Sequence, residues 1–214
     1  MGQRNDGTLE VYIGKSRCGK TSLIYQRIAD APRVLAWDTQ GQFAMYPGWE
    51  VVRSLHALAD ALEKSSEDST PQRIAYQPQS MKDFDLFCRM AYAWIVQGAG
   101  VVFVEELADV TTSGKACDGW GILTRRGLKY GPNILAAIQR PQWCDKDTID
   151  NATTLVIFQN GDKAAPYLID QIGVPAERVP KQPYTYNVRT HDGWKGPLQT
   201  VAMPDPGKGA SPSG

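Results

Sequence analysis

The stretch Leu9-Glu10-Val11-Tyr12-Ile13-Gly14-Lys15-Ser16-Arg17-Cys18-Gly19-Lys20-Thr21-Ser22-Leu23-Ile24-Tyr25-Gln26-Arg27-Ile28 decides how this chain is read. Its first five residues are mostly apolar and β-prone. Gly14 through Thr21 follow the spacing G-x-x-x-x-G-K-T, the Walker A or phosphate-loop pattern. From Ser22 onward the apolar residues recur at helical spacing, with Leu23, Ile24 and Ile28 on one side. Strand, loop and helix therefore succeed one another in the order the motif needs. A glycine-rich turn carrying a chance lysine would not require all three. Gly14 and Gly19 allow backbone N–H groups to turn inward on a phosphate. The helix that opens near Lys20 aims its positive end at the same point. Lys20 is predicted to reach the β- and γ-phosphates of ATP, and the Thr21 hydroxyl to hold Mg²⁺. The predicted nucleotide-binding set is Gly14, Lys15, Ser16, Arg17, Cys18, Gly19, Lys20, Thr21 and Ser22.

A phosphate loop calls for an acidic partner, and Val101-Val102-Phe103-Val104-Glu105-Glu106 supplies one. Four apolar residues after Gly100 suit a strand covered on both faces. Its two acids would emerge at the carboxyl end, where ligands bind in open α/β sheets. This is a Walker B pattern with Glu in place of the usual Asp. Glu105 is expected to orient Mg²⁺, through water, and Glu106 to act as general base on the attacking water. The longer reach of Glu105 makes its metal contact more indirect than that of an Asp.

The 214 residues suggest one α/β domain with a small appendage. Lys+Arg and Asp+Glu balance at 23 each, so no global basic field draws in nucleic acid. DNA contact would have to come from a local patch, or from a ring that gathers patches from several subunits. No apolar run approaches the roughly 20 residues of a membrane helix, and the polar start Met1 to Asp6 resembles neither a signal peptide nor a myristoylation site. Four scattered cysteines and two histidines argue against a zinc site and for reduced thiols in a cytoplasmic setting.

Strand-like segments are predicted at 9–13, 33–37, 50–53, 73–76, 101–104, 133–138 and 153–158, alternating with helices. Helices are expected from the phosphate loop to about Asp30, after Ser54, from Ser80 to about Gln97, from about Gly119 to Lys129, and from Ala164 to Ile172. Such alternation predicts a mostly parallel sheet. After Pro175 the texture changes. Tyr184 to Arg189 and Leu198 to Val201 flank a turn at 192–196, which reads as a β-hairpin. The expected organisation is a flexible N-terminus (1–7), an ATPase domain (8–175), a hairpin extension (176–206) and a disordered tail (207–214).

Gln139 tips the strand after Walker B. This arrangement resembles the additional-strand, RecA-like class of P-loop ATPases, whose fold is a three-layer α/β sandwich. There a catalytic Glu stands beside the metal-binding acid, and a polar sensor on the next strand reads the γ-phosphate. More specifically, Val101 to Asp109 resembles the Walker B region of the FtsK–HerA superfamily of DNA-pumping ATPases. Tyr130-Gly131-Pro132-Asn133-Ile134-Leu135-Ala136-Ala137-Ile138-Gln139-Arg140-Pro141 is similar to its sensor strand ending in Gln-Arg-Pro, and Val34 to Asp38 and Asp147 to Phe158 are similar to neighbouring elements. With little beyond a motor core, the chain most resembles the genome-packaging ATPases of membrane-containing, double-jelly-roll viruses. The resemblance implies a homo-oligomeric ring, pentameric or hexameric, that moves double-stranded DNA. It also implies capsid or packaging-vertex partners and a place at the virion vertex and in the host cytoplasm. Where the family often has an arginine, this chain reads Gly127-Leu128-Lys129-Tyr130-Gly131. Arg125 and Arg126 are the candidates for an arginine finger acting on a neighbour, with Arg140 behind them; a solvated helix face explains the Arg125–Arg126 pair equally well. The alternatives in function are a helicase or conjugation-type translocase and a morphogenesis ATPase of the zonula-occludens-toxin type.

Overall fold

Apolar, β-branched runs pair into one nine-stranded sheet, described here from a computed structural model covering residues 7–67 and 72–202. The strands are β1 (Thr8–Ile13), β2 (Arg33–Trp37), β3 (Glu50–Val52), β4 (Gln72–Tyr76), β5 (Val101–Val104), β6 (Asn133–Ile138), β7 (Thr154–Phe158), β8 (Thr185–Thr190) and β9 (Gly193–Thr200). Their spatial order is β3-β4-β2-β5-β6-β1-β7-β8-β9. The first seven pair in parallel, and β8 and β9 close one edge as an antiparallel hairpin. β6 stands between β1 and β5, so the strand tipped by Gln139 separates the phosphate-loop strand from the Walker B strand.

Alternate residues of each central strand face opposite cores. Val11, Leu35, Val102, Ala136 and Ile157 join a core covered by α2 (Leu55–Glu67), α3 (Phe84–Gln97), α4 (Asp118–Arg126), α5 (Lys146–Asp150) and α6 (Ala164–Asp170). Tyr12, Ala36, Phe103, Leu135 and Val156 join the other, covered by α1 (Lys20–Ile28) and the turn at Phe43–Met45. The result is the three-layer α/β sandwich with a mostly parallel sheet that the sequence predicts. Trp37 shows how tightly the first core is built. It is fully buried, with its ring 5.1 Å from Phe84 and 5.2 Å from Phe87. Trp37→Ala should cost about 3–5 kcal/mol, lowering the melting temperature by about 6–20 °C for a domain of this size; calorimetry of the variant checks this.

Three local expectations change. The helix predicted to reach Lys129 ends at Arg126, because the next residues tighten into a 3₁₀ turn, Leu128–Tyr130, closed by Gly131 at φ 78°. The hairpin turn falls at His191-Asp192 instead of 192–196, and Gly193 to Gly196 are strand. Gly7, expected to be loose, is buried and donates its N–H to the Leu128 carbonyl at 2.7 Å. Residues 1–6, Asp68 to Pro71 of the polar loop and the expected tail from Gly207 lie outside the described residues. Among the described residues no helix is long and apolar enough to cross a membrane.

Candidate nucleotide-binding and catalytic site

Parallel strands bring several carboxyl ends to one edge, and the site is built there. The phosphate loop leaves β1 anchored to both neighbours. The Gly14 N–H donates to the Ile138 carbonyl at 3.0 Å, and the Lys15 N–H to the Gln159 carbonyl at 2.9 Å. A Cβ on Gly14 would lie 2.6 Å from the Phe158 Cβ and 2.7 Å from the Cys18 Sγ, so the loop closes this tightly only with glycine there. Gly19 caps α1 at φ 102°, a left-handed backbone that glycine adopts without strain. Ser16 through Ser22 line a cleft of about 450 Å³. Gln40, Gln42, Glu105, Glu106, Gln139 and Tyr184 form much of the rest of its wall. Gly14 is buried behind the loop, and Lys15 is exposed toward a neighbouring groove.

Lys20 is buried, and its ammonium donates to the carbonyls of Gly14 at 2.7 Å and Lys15 at 2.9 Å. Burial lowers its pKa, while Cys18, Glu106 and Glu105 nearby pull it back up.

The two acids follow β5 directly and are both buried. The Glu105 N–H donates to the Trp37 carbonyl at 3.1 Å, prolonging the pairing with β2. Its Oε2 accepts from the Gln40 N–H at 3.0 Å and from the Thr39 hydroxyl at 3.3 Å. Burial pushes the Glu105 carboxyl up to about 7; the Gln40 hydrogen bond opposes this, and the negative charge of Asp38 adds to it. Asp38 is itself fully buried and accepts from the N–H groups of Gln42 at 2.9 Å and Phe43 at 3.1 Å. It therefore shapes the turn that carries Gln40 and Gln42 to the cleft.

Glu106 adopts φ 48° and ψ 65°, a left-handed conformation that costs a non-glycine residue about 1–2 kcal/mol. The strain turns the side chain away from the line of the strand and into the cleft. There its Oε1 accepts the Gln139 N–H at 3.0 Å. Burial raises the Glu106 pKa, against the Gln139 hydrogen bond and the charge of Lys20. Glu105, Glu106, Lys20, Thr21 and Gln139, drawn from separate elements or their ends, thus meet around one space.

Arg125 and Arg126 are not brought to this space. Both are exposed at the end of α4, and Arg125 lines a separate crevice with Leu9, Thr124 and Asn151. Arg140, next to Gln139, is exposed with its guanidinium 4.6 Å from the centroid of the Trp143 ring. Sequence reasoning missed Tyr184. Its N–H donates to the Cys18 carbonyl at 2.8 Å, its own carbonyl accepts the Val201 N–H at 2.8 Å, and its φ is 60°. The start of the hairpin thereby braces the phosphate loop. No local pattern ties Tyr184 to a motif so far away in the chain; Gln40 and Gln42 could have been found as residues that follow the Asp-terminated second strand.

No protein-family model matches the chain. It is 34% identical over 153 residues to protein P9 of Pseudoalteromonas phage PM2, an alignment covering 69% of this chain and 68% of P9. The chain belongs to the protein P9 family. The resemblance read from the sequence has its counterpart, in fold, among solved genome-packaging ATPases. The genome packaging NTPase B204 from Sulfolobus turreted icosahedral virus 2, in complex with AMPPCP, superposes with a TM-score of 0.72 at 13% identity, over 93% of this chain and 100% of that one. B204 described as the DNA-packaging ATPase from Sulfolobus turreted icosahedral virus gives a TM-score of 0.71 at 14% identity, again over 93% and 100%. The cytoplasmic domain of the Thermomonospora curvata type VII secretion ATPase EccC gives 0.55 at 14% identity, over 94% of this chain and 24% of that one. At such identities these likenesses are of fold. The fold of this chain thus spans the whole of the packaging NTPase and about a quarter of the EccC chain.

Proposed function

We propose that this P9-family chain hydrolyses ATP to move double-stranded DNA into a preformed viral capsid, as one subunit of a pentameric or hexameric ring at the packaging vertex. The observation that carries the reading is the meeting of Lys20, Glu105, Glu106 and Gln139 around one cleft, on a fold shared with a packaging NTPase. Lys20 would leave the loop carbonyls for the β- and γ-phosphates, and the backbone N–H groups from Ser16 to Thr21 would cradle them. Glu106 accepts the proton of the attacking water as that oxygen bonds to the γ-phosphorus and the bond from phosphorus to the β,γ-bridging oxygen breaks, releasing ADP; its raised pKa suits a base that must take a proton at the moment of attack. Gln139 holds the Glu106 carboxylate through its N–H and presents its side chain to the same cleft.

The residues also fit Mg²⁺. Among the described residues no group of three or more His, Cys, Asp or Glu could hold a metal ion alone. Mg²⁺ beside a nucleotide is instead held by one or two protein oxygens together with phosphates and water. The Thr21 hydroxyl and the Glu105 carboxylate are hard oxygen donors on one cleft, and the ion would supply charge neutralisation of the phosphates. The ion needs the ionised carboxylate, and Glu105 titrates near pH 7. Mg²⁺ dependence should therefore sharpen as pH rises: the Mg²⁺ concentration giving half-maximal ATP hydrolysis falls between pH 6 and pH 8 in the parent chain. In Glu105→Gln it should stay flat over that range.

A chain with formal net charge +0 should hold DNA weakly as a single subunit. In a ring, phosphate contacts from several subunits add along the duplex. An arginine reaching a neighbour's γ-phosphate contributes about 10³–10⁵ in rate in other P-loop enzymes; Arg126 or Arg125 would fill that role. The test is hydrolysis per subunit against protein concentration, with and without double-stranded DNA. A steep rise with both, removed by high salt, is expected. Flat per-subunit activity from nanomolar to micromolar protein with no response to DNA would mark a monomeric enzyme.

A further inference from the structure

A second groove, of about 530 Å³, opens beside the nucleotide cleft and shares Ser16 and Gln139 with it. Lys15, Arg140 and Lys163 line it against a single acid, Asp162, an excess of cations on a chain that is neutral overall. Among the described residues none of the three cations takes part in an ion pair. The turn Pro141–Trp143 is pinned, with Pro141 and Cys144 buried and the Trp143 N–H bonded to the Arg140 carbonyl at 3.0 Å. Yet Trp143 itself is 53% exposed, with the Arg140 guanidinium stacked on its face. The indole is thus held in place without serving the core. It presents a flat, cationic platform to whatever enters the groove.

We infer that this groove is where each subunit grips the phosphate backbone of double-stranded DNA. The inference rests on the motor reading above, which supplies the duplex; the groove supplies the place. Unpaired cations beside a stacked aromatic suit a polyanion, since each lysine or arginine can neutralise a phosphate and release its counterion. A protein partner would have to bring its own acids to match all three. The position also gives the contact a consequence. Arg140 follows Gln139 in the chain, and the Gln139 N–H holds the Glu106 carboxylate at 3.0 Å. DNA drawn against Arg140 and Trp143 pulls on the peptide unit that positions the base, so binding in the groove raises hydrolysis in the cleft.

Lys163→Glu and Trp143→Ala test this in the full chain, since neither residue belongs to the nucleotide site. Three readouts are needed: anisotropy titration of a labelled duplex across a salt series, hydrolysis with and without DNA, and sedimentation. Lys163→Glu should weaken duplex binding at least about eightfold at 0.1 M salt and reduce the salt slope by at least about 1, because each subunit that engages the duplex leaves one phosphate with its counterion. Both variants should lose DNA stimulation while keeping basal hydrolysis and ring assembly. Parental binding and stimulation in both would overturn the groove and leave the motor reading standing. Loss of ring assembly would instead make the groove a surface between subunits and overturn DNA as its occupant. A parent chain that neither binds duplex nor responds to it would overturn the motor reading, and this inference with it.

Discussion

Lys20→Ala should hydrolyse ATP about 10²–10³-fold more slowly than the parent chain, the loss expected when one preorganised donor to developing charge is removed. The effect is large because the ammonium is buried at the root of the loop, where water screens little of its charge. In Ala the phosphates lose that charge, and the carbonyls of Gly14 and Lys15 lose the donor that bonds both. ATP affinity should fall with turnover, which single-turnover hydrolysis and nucleotide titration measure separately. Unchanged circular dichroism would show that the fold survives. Turnover near the parental rate would remove Lys20 from the phosphate site.

Glu106→Gln should separate binding from chemistry. The amide keeps the size of the side chain, and its oxygen can still accept the Gln139 N–H, so the left-handed turn at 106 and the cleft should persist. What it cannot do is take a proton from water. Loss of a general base costs about 10²–10⁴ in rate. Nucleotide affinity should therefore stay within a few-fold of parental while hydrolysis all but stops, and the variant should accumulate with ATP bound. Because burial raises the Glu106 pKa, hydrolysis by the parent chain should climb with pH until that carboxyl is ionised. At saturating Mg²⁺, where ionisation of Glu105 no longer limits the rate, the same climb should be absent from the residual activity of Glu106→Gln. A variant that turns over at the parental rate would move the base elsewhere.

The strand–loop–helix around Gly14 to Thr21 was legible because three signals coincide within about twenty residues, each with its own physical cause. The β5 strand and its acids were legible because a continuous apolar run ending in paired carboxylates has few other homes in a soluble sheet. Other features depend on packing that no short window contains. The end of α4 at Arg126 follows from the 3₁₀ turn Leu128–Tyr130 just beyond Gly127, where the Leu123 carbonyl and Ile95 leave no room for a side chain. Periodicity alone carried the prediction three residues further. The strain at Glu106 is likewise invisible in sequence, since glutamate has no preference for a left-handed backbone. Tyr184 reaches the phosphate loop only because β8 pairs with β7 beside it. The hairpin turn slipped because Gly193 and Gly196 look like turn residues, while both take positive φ within or at the start of a bulged edge strand.

The place of β1 sets when the protein can become active during its own synthesis. Thr8 hydrogen bonds with Asn133, a partner 125 positions further along, and Glu10 pairs with Thr154 on the other side. At roughly 5–20 residues per second, the ribosome needs roughly 6–25 s to deliver that first partner. Until then Val11, Tyr12 and Ile13 have no strand beside them, and the loop after them lacks the Ile138 and Gln159 carbonyls that anchor it. The brace from Tyr184 arrives later still. A nascent or truncated chain that has made the ATP-binding sequence therefore has no formed ATP-binding loop. Unfinished chains lack the formed phosphate site, so the topology itself delays nucleotide binding until the partners of β1 have been made.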